Sequence, residues 1–150
     1  MSGFEFEHFV GHLFDLVGFT ASVTRPVGDK GVDVVGTLNA EGLAEVTVRV
    51  QVKRIHGAVG SKEIQALRGA LEHGEHAFFV TLSTFSKQAT EEADASNKTT
   101  VMLIDGVDLT NLVLEHFDGL DVKYKKLLGI RRKEQLKAED LFELATKKVD

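Results

Sequence analysis

Gln51 and Lys53 lie two positions apart in the segment VTVRVQVKRI (46–55), and in a strand this spacing places both side chains on the same face. Valines occupy the even positions from 46 to 52, and polar residues occupy the odd positions between them. Alternation with a period of two predicts a strand with one buried face. The side chains of Gln51 and Lys53 therefore project from the other face, about 7 Å apart along the chain.

An aspartate in the preceding segment extends this pair. The segment VDVVGTLN (32–39) also predicts a strand, and a hairpin centred near Gly42 places Asp33 opposite Gln51. The valines hold that register, because a slip of one residue would turn the polar set into the core. The sequence thus predicts that Asp33, Gln51 and Lys53 converge on one side of a two-stranded ribbon.

These residue types suit metal-assisted chemistry at a phosphate. The carboxylate of Asp33 and the amide oxygen of Gln51 are hard ligands of the kind that Mg²⁺ prefers, with Mn²⁺ as a substitute. The backbone carbonyl of Val52 can add a ligand, and Glu7 can supply a second carboxylate if the first helix packs over the ribbon. Lys53 can orient an attacking water and stabilise charge on a phosphoryl group.

The composition predicts a soluble domain with an ordinary core. The 150 residues are 43% hydrophobic and 27% charged, which suits one domain. Since the chain has no cysteine, disulfides, zinc–thiolate sites and thiol nucleophiles are excluded. No apolar run approaches the roughly 18 residues that span a bilayer, and MSGFEFEHFV lacks the pattern of a secretory signal. We therefore expect a cytoplasmic protein without membrane association.

Charge is unevenly distributed along the chain. The formal net charge of −5 argues against nonspecific coating of nucleic acid. Residues 49–68 nevertheless carry a net charge of +4, and residues 91–121 carry −7. The segregation is typical either of two differently solvated surfaces or of a basic patch that meets an anion on an acidic body.

The hydrophobic pattern predicts alternating helices and strands. Helices are expected over 4–17, from Ser61 to about Gly74, over 84–96 with Ser83 or Thr84 as cap, and over 107–117. Strands are expected over 19–27, 32–39, 46–55, 77–83 and 100–106, the last two buried, with a tight turn at 28–31. Three strands in hairpin order followed by β-α-β-α units predict a mixed α/β sheet with helices on both faces.

The C-terminal segment has a different character. From residue 119 the chain is Lys-rich and helical in pattern, with an apolar stripe formed by Ala138, Leu141, Phe142 and Ala145. We expect a domain over 1–118 and a helical tail over 119–150. The tail can pack on the domain, pack on a second copy, or lead toward a further domain.

Five segments in order resemble the catalytic domain of Mrr-like restriction endonucleases, which belong to the PD-(D/E)xK nuclease superfamily. They are GDKGVDVVG (28–36), VRVQVKR (48–54), IQALRGAL (64–71), FFVTLSTFSKQA (78–89) and MLIDGVDLTNLV (102–113). The opening segment 6–19 is similar to that family's first helix and the strand after it. The resemblance implies a restriction-endonuclease-like mixed sheet flanked by helices, and a Mg²⁺-dependent endodeoxyribonuclease.

The resemblance also implies roles for individual residues. Asp33 matches the family's metal-binding aspartate, Gln51 a position held by Glu or Gln, and Lys53 the catalytic lysine. Glu7 matches an acidic residue of the first helix near the metal. Glutamine departs from the broad superfamily pattern but is normal for this branch.

DNA is the implied substrate. Basic residues near the predicted site are expected to hold its backbone: Arg49, Arg54, Lys62, Lys30 and Lys87. Cleavage of both strands needs two active sites, so a homodimer is expected. The family often joins the nuclease to a DNA-reading domain, so a further recognition domain or subunit is also expected.

Simpler interpretations remain for several of these features. Asp29 suits a turn for backbone reasons, and His8 with His12 suits the polar side of a helix. Two other functions stay open at this point. One is a catalytically silent DNA-binding module on a nuclease fold, and the other is a protein-interaction module that uses the Lys-rich tail.

Overall fold

The fold is given by a computed structural model that describes residues 1–24, 33–40, 42, 44–137 and 141–146. The strands are β1 (Thr20–Val23), β2 (Val34–Ala40), β3 (Ala44–Lys53), β4 (His76–Thr81) and β5 (Val101–Ile104). The α-helices are α1 (Gly3–Val17), α2 (Ser61–Gly69), α3 (Lys87–Ala93), α4 (Gly106–Glu115), α5 (Val122–Leu128) and α6 (Leu141–Thr146). Short 3₁₀ turns occupy Phe117–Gly119 and Lys133–Gln135.

The five strands form one sheet in the order β1-β2-β3-β4-β5. The pairs β1–β2 and β2–β3 are antiparallel, whereas β4 and β5 add in parallel. This confirms the predicted mixed sheet. Val34 pairs with Val50, and Gly42 has the positive φ of 75° that favours glycine in the hairpin turn. The predicted register is therefore confirmed for residues 34–40 with residues 44–50. Asp33 lies just before these paired residues and donates its N–H to the Val50 carbonyl, so its place opposite Gln51 stays a prediction.

Helices cover both faces of the sheet, as the pattern predicted. On one face α1, α4, α5 and α6 share a hydrophobic core with the buried Val48 and Val50 of β3. On the other face α2 and α3 pack through Ile64, Leu67 and Ala89. The valines of β3 thus point toward α1, and its odd-numbered side chains point toward α2.

Helix α1 follows the predicted bounds because its start is well capped and its apolar residues share one face. The hydroxyl of Ser2 accepts from the Glu5 N–H at 3.0 Å, and the Glu5 carboxylate accepts from the Ser2 N–H at 2.8 Å. Phe6, Phe9 and Leu13 are buried against the sheet. Gly18 ends the helix with a φ of 124°.

The C-terminal segment packs on the domain, the first of its three predicted arrangements. Its buried side chains join the core cluster of α1: Leu120, Tyr124, Leu128, Ile130, Leu136, Leu141 and Ala145. The ring of Tyr124 lies 5.4 Å from that of Phe9. Ala138 of the predicted stripe lies outside the described residues, and the division of the chain at 118/119 stays a prediction.

Two predicted helix boundaries are corrected by the structure. Helix α2 ends at Gly69 rather than about Gly74, since the chain turns there through short-range bonds such as Leu71 N–H to the Arg68 carbonyl. Ser86, not Ser83 or Thr84, caps α3: its hydroxyl accepts from the Ala89 N–H at 3.0 Å. The Ser83 hydroxyl instead donates to the Gly57 carbonyl at 2.8 Å.

Strand β5 lies at the edge of the sheet, not in its buried middle. Met102 on this strand is 52% exposed, which corrects the prediction of a fully buried strand. The predicted turn at 28–31 lies outside the described residues. No helix in the described part of the chain is long and apolar enough to cross a membrane.

Candidate active site

Asp33 lies directly before β2 and is hydrogen-bonded to the end of β3 and to the residue after β1. Its backbone N–H donates to the Val50 carbonyl at 2.9 Å, and its carbonyl accepts from the Thr24 N–H at 2.9 Å. Its carboxylate oxygen Oδ2 accepts from the backbone N–H of Val52 at 2.7 Å. The carboxylate therefore lies at the backbone of Val52, the residue between Gln51 and Lys53, and the structure places Asp33 at the same end of β3 as these two residues.

The side chains of Gln51 and Lys53 are half-buried on the α2 side of β3. In the parallel pairing with β4, Gln51 stands beside Phe79 and Lys53 beside Thr81. Both residues therefore lie at the carboxyl end of parallel strands, where the connecting loops leave room for a ligand. The location agrees with a site for substrate.

Lys53 forms an ion pair with Glu63, a residue that the sequence did not indicate as part of the site. Its Nζ lies 3.2 Å from Oε1 of Glu63 in α2, and Oε2 of Glu63 accepts from the Gly60 N–H at 3.1 Å. Burial raises the pKa of the Glu63 carboxyl, but the hydrogen bond from Lys53 and the backbone N–H groups outweigh it and lower the pKa overall. Glu63 is the only acidic residue of the basic segment 49–68. An acidic residue three positions into a helix is typical of capping, so its residue type and position do not by themselves indicate a contact with Lys53.

Glu7 lies half-buried on α1, which packs on the opposite face of the sheet. One helical turn further on, a Cβ at Gly11 would lie 3.9 Å from Cγ1 of Val34, the neighbour of Asp33. At the start of the helix, the Met1 carbonyl accepts a hydrogen bond from the guanidinium of Arg54. Glu7 therefore lies on α1 between two points of contact with the sheet. One is Gly11 near Val34, next to Asp33, and the other is Met1 with Arg54, next to Lys53.

Arg49 is placed away from this end of the sheet. It precedes Lys53 by four strand residues, about 13 Å along β3. Its Nε lies 2.6 Å from the Glu75 carboxylate, and the two side chains are 27% and 11% exposed. The hydrogen bond with Glu75 raises the pKa of Arg49 and lowers the pKa of Glu75. The pair links β3 to the start of β4, so the geometry gives Arg49 a structural contact.

The other predicted DNA contacts lie closer together. Arg54 is exposed and directly follows Lys53, and Lys62 is exposed in the first turn of α2. Lys87 begins α3, whose cap residue Ser86 donates its N–H to the Val59 carbonyl at 2.9 Å. The starts of α2 and α3 are therefore neighbours, and Lys62 and Lys87 share that end of the molecule. Lys30 lies outside the described residues.

A groove runs along the carboxyl ends of the parallel strands. One cavity of about 260 Å³ is lined by His56, Leu82, Ser83, Thr84, Gly106, Val107 and Phe142. A second of about 170 Å³ is lined by Arg54, Ile55, His56, Phe142 and Thr146. The rings of His56 and Phe142, 5.0 Å apart, border both. The sequence did not predict that His56 and Phe142 line these cavities. The apolar residues of α6 predict that the helix is buried, but they do not indicate which part of the domain it packs against.

The oxygen donors of the site suit a divalent ion. They are the Asp33 carboxylate, the Gln51 amide and the Val52 carbonyl, an all-oxygen set of the kind that Mg²⁺ accepts together with water. Within the described ranges there is no group of three or more His, Cys, Asp or Glu side chains placed to hold a metal. Any ion at Asp33 would therefore depend on amide, backbone and solvent or substrate oxygens.

The two histidines of α1 do not act as a chelating pair. Nε2 of His12 accepts from the Asp121 N–H at 3.1 Å, and its ring stacks on Tyr124 at 5.0 Å. The ring of His8 contacts Phe4 at 4.4 Å. His12 thus connects α1 to the start of α5, and its contacts are structural.

A mixed sheet with an Asp-Gln-Lys set at the end of a hairpin defines a restriction-endonuclease-like nuclease fold. The family model for the Mrr catalytic domain, described as restriction endonuclease, matches residues 1–113. The chain belongs to this restriction endonuclease family. The predicted resemblance and fold class are confirmed.

Relatives of known name agree with this assignment. The type IV methyl-directed restriction enzyme EcoKMrr of Escherichia coli (strain K12) is 36% identical over 121 residues, which cover 78% of this chain and 36% of that protein. The DNA modification-dependent restriction endonuclease AspBHI has a similar structure, with a TM-score of 0.64, 29% identity, and coverage of 78% of this chain and 32% of that one.

A third similarity concerns the fold alone. The MspJI restriction endonuclease, solved in complex with a 27-mer oligonucleotide, gives a TM-score of 0.63 at 22% identity. The match covers 88% of this chain and 35% of that one. This chain therefore spans about a third of the length of these three relatives. Restriction endonucleases of this family generally need divalent metal ions.

Proposed function

We propose that the chain is a Mg²⁺-dependent DNA endonuclease domain that hydrolyses phosphodiester bonds. The observation that carries the proposal is the 2.7 Å bond between the Asp33 carboxylate and the Val52 N–H. It fixes an anionic oxygen beside the peptide that separates Gln51 from Lys53. Family membership supports the reaction class, and Asp33, Gln51 and Lys53 are its proposed catalytic residues.

The residues divide the chemistry between them. Asp33, Gln51 and the Val52 carbonyl would hold Mg²⁺, with Mn²⁺ as a substitute and Glu7 as a further carboxylate. When bound, such an ion supplies a water of lowered pKa and stabilises charge on the phosphate. Lys53 supplies a cation at the same strand end, where it can orient the attacking water and stabilise negative charge on the phosphate oxygens.

Arg54, Lys62 and Lys87 are proposed contacts to the DNA backbone, with Lys30 from outside the described residues. Each phosphate contact releases counterions, so affinity should fall steeply as salt rises. Arg49 is also a proposed DNA contact, but its bond to Glu75 should make its contribution to DNA affinity smaller than those of Arg54, Lys62 and Lys87.

A homodimer and a further recognition domain or subunit complete the proposal. Two strands of a duplex need two active sites. EcoKMrr and AspBHI are named for methyl-directed and modification-dependent action, and the chain matches about a third of each. We therefore expect recognition of modified DNA to require a further domain or subunit, corresponding to the part of these relatives that this chain does not match. A cytoplasmic location is proposed as well.

The proposal is tested with supercoiled plasmid and Mg²⁺. The wild-type chain should nick or linearise the plasmid, whereas Asp33→Asn and Lys53→Ala should lose at least about 100-fold in rate. Matched controls are Asp118→Asn and Lys126→Ala, which change the same residue types at exposed positions and should cut like wild type. EDTA should abolish cleavage, and Mn²⁺ should restore it.

The result that contradicts the proposal is equal cutting by all five proteins, or none by wild type. Binding of a labelled duplex that ignores Mg²⁺ and tolerates Asp33→Ala would favour the catalytically silent DNA-binding module. The protein-interaction module has less support, because seven residues after 119 are buried in the domain's own core.

A further inference from the structure

Glu63 contacts two groups at once, one with each carboxylate oxygen. Oε1 lies 3.2 Å from the Nζ of Lys53, and Oε2 accepts from the Gly60 N–H at 3.1 Å. We propose that Glu63 is a positioning residue that holds the Lys53 ammonium at the carboxyl end of β3 for the reaction. This inference rests on the nuclease function proposed above and adds a residue from a different element to its site.

The helix cap alone does not account for both contacts. A capping box needs one acceptor oxygen on the third residue of the helix, and Glu and Gln supply it equally. Glu5 in α1 uses Oε2 in the same way on the Ser2 N–H at 2.8 Å. Glu63 differs from Glu5 because its second oxygen faces a lysine. The cap and the lysine contact can therefore be separated by removing the charge and keeping the oxygen.

The geometry explains why a lysine here needs a fixed partner. Lysine carries a flexible four-carbon stem with many rotamers, so its ammonium is not placed by the strand alone. Glu63 is fixed at the start of α2, where its neighbours Ile64 and Leu67 are fully buried. A rigid helix therefore defines where the Nζ of Lys53 rests.

The exposure of the Lys53–Glu63 pair indicates how its loss should affect folding stability and DNA affinity. The side chains of Lys53 and Glu63 are 37% and 32% exposed, and ion pairs this accessible contribute little to folding stability. A loss of the carboxylate charge should therefore leave the melting temperature nearly unchanged. A negative charge close to the DNA phosphates also opposes binding, so its removal should not weaken DNA affinity.

The test compares Glu63→Gln with Glu5→Gln as the matched control. Glu63→Gln should lower kcat about 10- to 100-fold, by analogy with the loss seen when a hydrogen-bond partner of a metal ligand is removed. Its Kd for a short duplex should stay equal or fall. Glu5→Gln should leave kcat and Kd as in wild type, because its carboxylate caps a helix without contacting Lys53.

A second measurement reads the lysine without catalysis. Acylation of Lys53 by an amine-reactive ester, followed by mass spectrometry, should proceed several-fold faster in Glu63→Gln than in wild type or Glu5→Gln, because the ion pair no longer protects Nζ. If Glu63→Gln loses kcat while the labelling rate of Lys53 is unchanged, the loss does not act through Lys53 and the inference is wrong.

The outcomes separate this inference from the nuclease function. A wild-type chain that cuts, with Glu63→Gln cutting equally well, overturns only the positioning role. A wild-type chain that does not cut overturns the nuclease function and the positioning role with it. Lower kcat, retained DNA affinity and faster labelling of Lys53 together support the positioning role.

Discussion

The carboxylate of Asp33 accepts a hydrogen bond of 2.7 Å from the backbone N–H of Val52, so a proposed metal ligand also fastens the end of β3. The same residue bonds through its own N–H to Val50 and through its carbonyl to Thr24. Its position is therefore held by three backbone groups of β3 and the segment after β1. The fold and the proposed chemistry therefore use the same side chain.

Asp33→Ala and Asp33→Asn should separate these two uses of the carboxylate. Alanine removes the acceptor of the Val52 N–H, which should lower the free energy of unfolding by about 1–3 kcal/mol. Asparagine keeps an acceptor oxygen and should cost less than about 1 kcal/mol, yet it should lose Mn²⁺ affinity as strongly as alanine does.

Urea unfolding and Mn²⁺ titration calorimetry measure the two effects. Asp118→Ala, at an exposed position, is the control and should change neither quantity. Equal stability of the alanine and asparagine variants would show that the bond to Val52 does not stabilise the fold.

The register of the β2–β3 hairpin could be predicted from the sequence because two physical constraints agreed. The valines of β3 had to face the core, and Gly42 suited the turn, so the pairing of Val34 with Val50 followed. No such constraint marked Glu63, since an acidic residue three positions into a helix is typical of capping alone. Its contact with Lys53 depends on how the loop after β3 returns to the sheet.

The arrangement of Arg49 could not be predicted for a related reason. Its partner Glu75 is 26 residues away in sequence and is brought close by the parallel pairing of β3 with β4. Periodicity fixes which face a strand residue takes but not which helix or loop covers that face. The same limit applied to the C-terminal segment, whose apolar stripe predicted burial without naming the surface.

Arg49→Ala should therefore mainly reduce folding stability, whereas Arg54→Ala should mainly reduce DNA affinity. Arg49→Ala leaves the Glu75 carboxylate, 11% exposed, without its cation and should reduce stability by about 1–2 kcal/mol. It should change DNA affinity less than Arg54→Ala does. Arg54→Ala should weaken duplex binding and reduce the slope of log K against log salt by about one.

Fluorescence anisotropy over a salt series, together with thermal melting of both variants, checks this contrast. Lys126→Ala serves as the control for loss of one exposed positive charge. A larger loss of affinity for Arg49→Ala than for Arg54→Ala would contradict the structural role of Arg49.

Gly106 should tolerate no side chain. A Cβ at this position would lie 2.3 Å from the carbonyl oxygen of Leu82, a backbone atom that cannot rotate away. Gly106→Ala should therefore push α4 off the end of β4 and cost about 1–3 kcal/mol or more, as overpacking does. Gly57→Ala is the matched control, since a Cβ there meets nothing within 4 Å. Equal urea midpoints for the two variants would contradict the predicted clash.

His12 should make stability fall as the pH falls. Burial lowers the pKa of His12, Asp121 and Asp15 raise it, and Lys123 lowers it again, with the net result below its ordinary value of 6.5. The unfolded chain therefore binds a proton more readily than the folded chain, so this contribution to stability is complete above about pH 6.5 and is lost as the pH drops toward the folded pKa. Protonation of Nε2 also removes the acceptor of the Asp121 N–H.

Glutamine at position 12 separates this effect from the titration of other groups. His12→Gln keeps an acceptor for the Asp121 N–H but cannot titrate, so the free energy of unfolding should fall less between pH 7.5 and about pH 5.5 than in wild type. His73→Gln is the control and should retain the wild-type slope, because His73 is exposed between α2 and β4 and does not belong to the contact between α1 and α5. Urea unfolding at both pH values decides the point. If the free energy of unfolding changed equally with pH in His12→Gln and in wild type, protonation of His12 would not weaken the contact between α1 and α5.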